Sequence, residues 1–252
     1  MTSGPVKDLA ASVRARLTNE ARRSGRPFQE VLTHFTLERF LYRLSRSRQA
    51  DRFVLKGGLL LRAWHGPMSR PTRDADLLGH GNPSVEEMVR VMQEVCAATA
   101  EPDGSRFDPT SVRGDRTRPD EEYKGVQIHI VGHLGQARTR FKVDIGFGDA
   151  VVPGPVQLNY PTILDFPAPR LRAYTRDSLV AEKFHAMVSL GEVNSRLKDF
   201  YDIWFLAKQF TFDAPHLGAA IRATFARRGT EMPHSPLPLL DAFGQDDARQ
   251  TQ

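Results

Sequence analysis

A chain of 252 residues with 40% hydrophobic content and a net charge of +5 can bury a substantial core, which excludes an intrinsically disordered protein. Its single cysteine, Cys96, excludes an intramolecular disulfide, and no apolar run approaches membrane-spanning length. With no apolar leader ahead of a small-residue cleavage site, the cytoplasm is the expected compartment.

Two helices are predicted first, over residues 6–24 and 27–46, the second carrying Val31, Leu32, Phe35, Leu37, Phe40, Leu41 and Leu44 at helical spacing. Arginine crowds this region: Arg14, Arg16, Arg22, Arg23, Arg26, Arg43, Arg46, Arg48 and Arg52. Planar, permanent cations suit phosphate backbones, so the segment reads as part of an RNA track, with a solvated helix face as the alternative.

Phe53-Val54-Leu55-Lys56-Gly57-Gly58 then reads as an apolar strand and a glycine turn, followed by a short helix over 59–65. Arg70-Pro71-Thr72-Arg73-Asp74-Ala75-Asp76-Leu77-Leu78 reads as a second strand. Strand alternation places Asp74 and Asp76 on one face, with Ala75 and Leu77 toward the core. Two hard oxygen donors at that spacing make a cation seat, and Mg²⁺ is usually held by one or two carboxylates plus substrate phosphates. Glycines lack a Cβ and so let the backbone approach those phosphates.

A helix opened by Ser84, with Glu87 three residues on as a capping box, carries the core stripe Met88, Val91, Met92 and Val95. Residues 101–121 read as an irregular surface segment. Alternating runs over 123–131 and 139–147, joined through His133-Leu134-Gly135-Gln136, predict an antiparallel hairpin. In its second run Phe141, Val143 and Ile145 share one face, and Lys142, Asp144 and Gly146 the other. Asp144 is therefore either a third carboxylate beside Asp74 and Asp76 or an acidic residue on a solvated strand face.

Pro153, Pro155, Pro161, Pro167 and Pro169 mark an extended connection. A helix over 177–190 contains Glu182-Lys183. A further helix begins near Asn194, with Leu197, Phe200, Ile203, Trp204 and Leu206 as its apolar stripe, and Asp199 and Asp202 on one face near Arg196 and Lys198. The tail from Met232 reads as peripheral. Cys96 reads as a buried, inert thiol, and no histidine pair has zinc-motif spacing.

Leu55-Lys56-Gly57-Gly58, Arg70-x-Thr72-x-Asp74-x-Asp76, Glu182-Lys183 and Arg196-x-Lys198-Asp199-x-x-Asp202 occur in that order. Together they resemble the AbiEii/AbiGii nucleotidyltransferase toxins, the MenT group included. The resemblance implies an α/β (α+β) fold: a DNA polymerase β-like nucleotidyltransferase core with a mixed sheet, N-terminal helices and a helical C-terminal part. The expected domains are 1–170 and 171–252. It implies the toxin of a toxin-antitoxin system that adds nucleotide from an NTP to RNA, typically the tRNA 3′ acceptor end, so that aminoacylation and translation stop.

Carried over by position, the resemblance implies Asp74 and Asp76 as the metal-binding pair for two Mg²⁺ ions. Asp144 follows only the wider polymerase-like pattern. Lys183 matches a lysine that contacts nucleotide phosphates, and either Asp199 or Asp202 matches a later acidic residue. Lys56, Gly57, Gly58, Thr72, Arg73, Arg196 and Lys198 are expected around the substrates. Thr72 occupies a hydroxyl position that is phosphorylated in some members, silencing the toxin. The expected partners are an NTP, tRNA and a protein antitoxin, either a kinase acting on Thr72 or an AbiEi-type protein, with no membrane.

The Gly-Gly turn departs from the Gly-Ser common in the wider superfamily. Two other readings compete. A different Mg²⁺-dependent D-x-D transferase, such as a sugar-nucleotide transferase, is disfavoured by the glycine turn one short helix upstream. An inactive nucleotidyltransferase fold serving as an RNA- or partner-binding module is disfavoured by the intact acidic positions.

Overall fold

A computed structural model of the protein describes residues 8–65, 71–117, 125–191 and 197–233. The chain divides into two compact units. The first ends at Gly148 and takes back Val156–Ala173; the second comprises Asp149–Pro155 and the residues from Tyr174 onward.

In the first unit α1 (Leu9–Ser24) starts at Asp8, whose carboxylate accepts the Ala11 N–H at 2.9 Å, and stops at Gly25, with φ 68°. Helix α2 (Phe28–Arg46) carries Phe35, Leu37, Phe40, Leu41 and Leu44 fully into the core. Its predicted span and apolar stripe are both observed.

Among the described residues eight strands form one mixed sheet: β1 (Phe53–Lys56), β2 (Asp74–Gly79), β3 (Ser105–Phe107), β4 (Arg113–Thr117), β5 (Gly125–Leu134), β6 (Ala137–Phe147), β7 (Val156–Asn159) and β8 (Arg170–Ala173). The order is β3-β5-β6-β2-β1-β8-β7, and β4 shares the outer edge of β5 with β3. Strand β2 runs parallel to β6 and antiparallel to β1. Helix α3 (Gly58–His65) connects β1 to β2, and α4 (Val85–Ala97) follows β2. The β5–β6 hairpin closes through Gly135 and Gln136, and Gly135 at φ 55° supplies the left-handed backbone such a short loop needs.

One face of the sheet is dry. Ala75, Leu77, Ile128, Ile130, Val143 and Ile145 are buried there, and Phe40 of α2 meets Phe141 edge-on at 5.2 Å. Met88, Val91, Met92 and Val95 of α4 are fully buried, each contributing about 1.5–3 kcal/mol by leaving water. The predicted capping box is only half made. Ser84 accepts the Glu87 N–H at 3.2 Å, but the Glu87 carboxylate turns to Arg52 and Arg90 because two guanidinium groups outbid one backbone amide. Cys96 is buried, and desolvation pushes its thiol up to about 12, as an inert cysteine requires.

The segment predicted as irregular surface, 101–121, instead contributes β3 and β4 as far as Thr117; residues 118–121 lie outside the described ones. Its anchor is Arg43, whose guanidinium donates to both Asp103 carboxylate oxygens at 2.8 and 3.1 Å and to the Ser105 carbonyl at 3.0 Å. Asp103 in turn accepts the Ser105 N–H at 2.9 Å. The proline-rich connection also carries structure, since β7 and β8 pair antiparallel and β8 adds parallel to β1. Glu38 ties part of this stretch to α2 by accepting the Ile163 N–H at 2.7 Å, and the fully buried Arg39 donates to the Pro167 carbonyl at 3.0 Å. Burial raises the Glu38 carboxyl to about 7 against the opposing pull of Arg39.

In the second unit α5 (Arg176–Leu190), α6 (Leu197–Gln209) and α7 (Ala214–Arg227) pack around Leu179, Ala181, Leu206 and Phe225. Helix α7 was not among the predicted elements. The predicted apolar stripe of α6 is wrong in part: Asp199, Asp202, Phe205 and Leu206 face inward, whereas Trp204 is 56% exposed. A buried cation on α5, described below, draws the two carboxylates in. The start of this helix near Asn194 and the tail beyond Pro233 lie outside the described residues. Among the described residues no helix is long and apolar enough to cross a membrane.

Arg43→Ala removes the cation that pairs with the buried Asp103 carboxylate, so unfolding free energy should fall by about 3–5 kcal/mol. Chemical denaturation monitored by circular dichroism measures it. An unchanged midpoint would show that β3 is held by other means.

Candidate active site

The second face of the sheet is polar, and the strand register sorts its side chains into rows. Asp76 on β2 is the direct partner of Asp144 on β6, which is the partner of Gln127 on β5 and, through it, of Asp115 on β4. One pleat repeat away lie Asp74, Lys142, His129 and Arg113. Alternation along β2 is as expected: Asp74 and Asp76 are half-buried, and Ala75 and Leu77 are buried on the opposite face. Because β2 and β6 are neighbours, Asp144 joins the two carboxylates, at the roughly 4.8 Å separation of adjacent strands.

Gly57 sets the position of Asp76. A Cβ at residue 57 would fall 1.9 Å from the Asp76 Oδ2 and 2.5 Å from its Cγ, and the backbone there is left-handed at φ 69°. The sequence suggested that this glycine makes room for phosphates; the space beside it is filled by the Asp76 carboxylate. The Gly58 N–H, at the start of α3, points to the same Oδ2 over 3.4 Å, a long contact that places the carboxylate at the positive end of the helix. Lys56 is the strand partner of Asp76 across β1 and β2. Gln127 donates to Asp144 Oδ1 at 2.8 Å and so fixes that carboxylate's orientation.

Among the described residues, no group of three or more histidine, cysteine or acidic side chains already converges as a closed ligand set. The donor chemistry nonetheless fits a hard divalent cation: all three groups are carboxylates, two are in register on adjacent strands, and Mg²⁺ ordinarily takes its remaining ligands from water and substrate phosphate.

Thr72 lies two residues ahead of the first residue of β2, half-buried and outside the strand, and its hydroxyl donates to the Asp74 carbonyl at 3.3 Å. Arg73 is exposed beside it. Arg70 and Arg196 lie outside the described residues, and Lys198 is exposed on α6.

The second unit holds a separate buried cluster. Lys183, only 8% exposed, donates to Asp199 Oδ1 at 2.9 Å and lies 2.7 Å from Asp202 Oδ2. Neither Lys198 nor a surface location accounts for these residues: the two carboxylates one turn apart on α6 clasp one ammonium from α5. Nearby, Arg228 donates to Asp149 at 3.0 Å and to Glu182 at 2.8 Å. His185 contacts the Thr230 hydroxyl at 2.8 Å, and burial, with Arg228 adding to it, lowers its pKa to about 4. Sequence reasoning missed this Arg228 junction, whose members are too far apart in the chain to form a pattern.

The amino-terminal arginines are mostly not an open track. Arg43 is buried on Asp103, Arg52 pairs with Glu87 at 2.9 Å, Arg23 pairs with Glu20 at 2.8 Å, Arg26 pairs with Glu30, and Arg16 pairs with Asp165. Arg14 lies over the Phe28 ring. Arg22, Arg46 and Arg48 are exposed.

A mixed sheet with carboxylates on neighbouring parallel strands, next to a strand-glycine-helix turn, defines a nucleotidyltransferase-type core. Comparison with known proteins agrees. Residues 39–252 match the family described as "Nucleotidyl transferase AbiEii toxin, Type IV TA system". The chain belongs to this AbiEii nucleotidyltransferase toxin family, and its class of activity is nucleotidyl transfer. No curated protein matches it significantly. In fold it is similar to the crystal structure of JHP933 from Helicobacter pylori, at 14% identity and TM-score 0.51, over 88% of this chain and 84% of that one. A second H. pylori structure, provisionally described as a nucleotidyltransferase, aligns at 14% identity and TM-score 0.49 over 88% of this chain and 86% of that one.

Lys183→Ala leaves two carboxylates buried without their cation, which should cost about 3–5 kcal/mol of stability. Thermal and denaturant unfolding read the loss. A variant as stable as wild type would remove the structural role and leave only a contact with substrate.

Proposed function

We propose that the protein is the toxin of a type IV toxin-antitoxin pair that transfers a nucleotidyl group from an NTP to the 3′-hydroxyl of RNA, with the tRNA acceptor end as target, in the cytoplasm. The observation that carries this reading is the register of Asp76 with Asp144, one pleat repeat from Asp74 and beside the Gly57-Gly58 turn, in a member of this family. The bond formed joins the RNA 3′-oxygen to the α-phosphorus. The bond broken releases pyrophosphate, and the hydroxyl proton leaves to a carboxylate oxygen or water.

Asp74, Asp76 and Asp144 are the groups that would hold Mg²⁺, two ions being the expected complement. When bound, the metal supplies charge neutralisation on the triphosphate and a lowered pKa for the attacking hydroxyl. The chain's own groups orient the substrates. Gln127 keeps the Asp144 carboxylate turned to the site, and Gly57 keeps Asp76 pressed against the start of α3. Lys56, Arg73 and Lys142 offer cations to phosphate oxygens beside these carboxylates. The buried pairing of Lys183 with Asp199 and Asp202 supports a positioning role that ties α5 to α6, in place of the direct phosphate contact the resemblance implies.

An antitoxin partner follows from the family, and Thr72 is proposed as the point of control. Its hydroxyl is bonded to the Asp74 backbone, so a phosphate there would bring about −1.5 to −2 charge next to the metal carboxylates and repel the triphosphate. A kinase is the matching kind of antitoxin.

Incubation with each labelled NTP and total tRNA, with and without Mg²⁺, tests the reading. Label should enter tRNA only with the metal. Asp74→Ala should lower transfer more than about 100-fold, the upper range seen for mere outer-shell partners of metal ligands, while the half-exposed position leaves folding intact. In the same assay Thr72→Glu should be inactive and Thr72→Val active. Full transfer by a folded Asp74→Ala protein would refute the mechanism, and an active Thr72→Glu would refute control at Thr72.

A further inference from the structure

The polar face of the sheet changes sign along the strands. Beyond the Asp76/Asp144 row and the Asp74/Lys142 row come Arg140, opposite Val131, and then Arg138, opposite His133, which is itself opposite Arg106 on β3. Partners in register share a face, and residues two apart on one strand do as well, so Lys142, Arg140 and Arg138 form a file on β6, with successive members about 7 Å apart. Arg106, Arg138 and Arg140 are exposed. The lowered pKa of His133, due first to burial and then to Arg106 and Arg138, agrees with its lying between them.

A cavity of about 640 Å³ opens on this part of the face, lined among others by Arg73, Arg113, His129, Arg138, Arg140 and Lys142, and it reaches Asp74. The contrast with the amino-terminal helices is in charge pairing. There most arginines are neutralised by a carboxylate, whereas Arg138, Arg140 and Arg73 make no ion pair among the described residues; Lys142 lies in register with Asp74, and His129 faces Asp115 at 3.6 Å.

We propose that the Arg106–Arg138–Arg140 end of this face is the binding track for the phosphate backbone of the acceptor RNA, leading its 3′ end to Asp74. The inference rests on the reading of the protein as an RNA nucleotidyltransferase and locates the acceptor within it. The triphosphate of the NTP is the competing source of phosphate, and geometry separates the two. The glycine turn and α3 adjoin Asp76, whereas the basic file starts at Asp74 and runs away from that turn. Cations at successive pleat repeats suit a chain of phosphates better than one compact triphosphate.

The test uses the full chain and a short 5′-fluorescein-labelled single-stranded oligoribonucleotide, with anisotropy read over a range of salt. Replacing Arg106, Arg138 and Arg140 together by Ala should weaken RNA binding about tenfold or more and flatten the log–log salt slope by about 2, at about 0.7 per lost phosphate contact. NTP affinity and melting temperature should be unchanged. The control triple Arg22→Ala, Arg46→Ala and Arg48→Ala should bind RNA as wild type does. If wild type transfers nucleotide to RNA but the track variant binds RNA normally, or loses NTP affinity instead, the track is wrong and the functional reading stands. If wild type neither binds nor modifies RNA, both are overturned.

Discussion

The parallel pairing of β2 with β6 is the constraint on which the site depends. Its register is held by the dry face, where Ala75, Leu77, Val143 and Ile145 are all buried. A slip of one residue would turn these apolar groups to water and the carboxylates into the core, so the burial that stabilises the sheet also sets Asp76 opposite Asp144. Helices α2 and α4 bury their apolar side chains with this face. The polar face carries carboxylates at one end and arginines at the other.

Arginine plays two physical roles in this chain. In and around the helices it is a structural group: Arg43 and Arg39 are buried and hold remote segments by their carboxylate and carbonyl partners. Removing such a side chain leaves buried charge or unpaired carbonyls behind. On β6 it is exposed, and Arg138 and Arg140 make no ion pair among the described residues, the condition for binding phosphate. Composition reports the sum of these two populations, which is why a crowded run of arginines in sequence was a poor guide to where a polyanion binds.

What could be read from the sequence was what local periodicity encodes. The spans of α2 and α3, the core stripe of α4, the β5–β6 hairpin and the shared face of Asp74 and Asp76 all follow from spacing of 3.6 or 2. The adjacency of Asp144 was open, because alternation fixes a face but not a neighbouring strand. The strands within 101–117 were hidden because their anchor, Arg43 on Asp103, spans separate parts of the chain. The inward face of α6 was misread for the same reason: Asp199 and Asp202 look like surface residues until Lys183 is placed between them. Gly57 showed itself as a glycine needed for close approach, but what approaches is the Asp76 carboxylate.

The central claim is that Asp76, seated behind Gly57 and in register with Asp144, forms a cation site. Titration of Mn²⁺ into the protein with a non-hydrolysable NTP analogue, followed by electron paramagnetic resonance, measures that site without requiring turnover. Gly57→Ala puts a methyl group where the Asp76 carboxylate lies, and Asp144→Asn removes one anionic donor while keeping the side chain's size. The account predicts at least about tenfold weaker Mn²⁺ binding in each folded variant, in line with the loss expected when support of a metal ligand is removed. Wild-type affinity in both variants would contradict it.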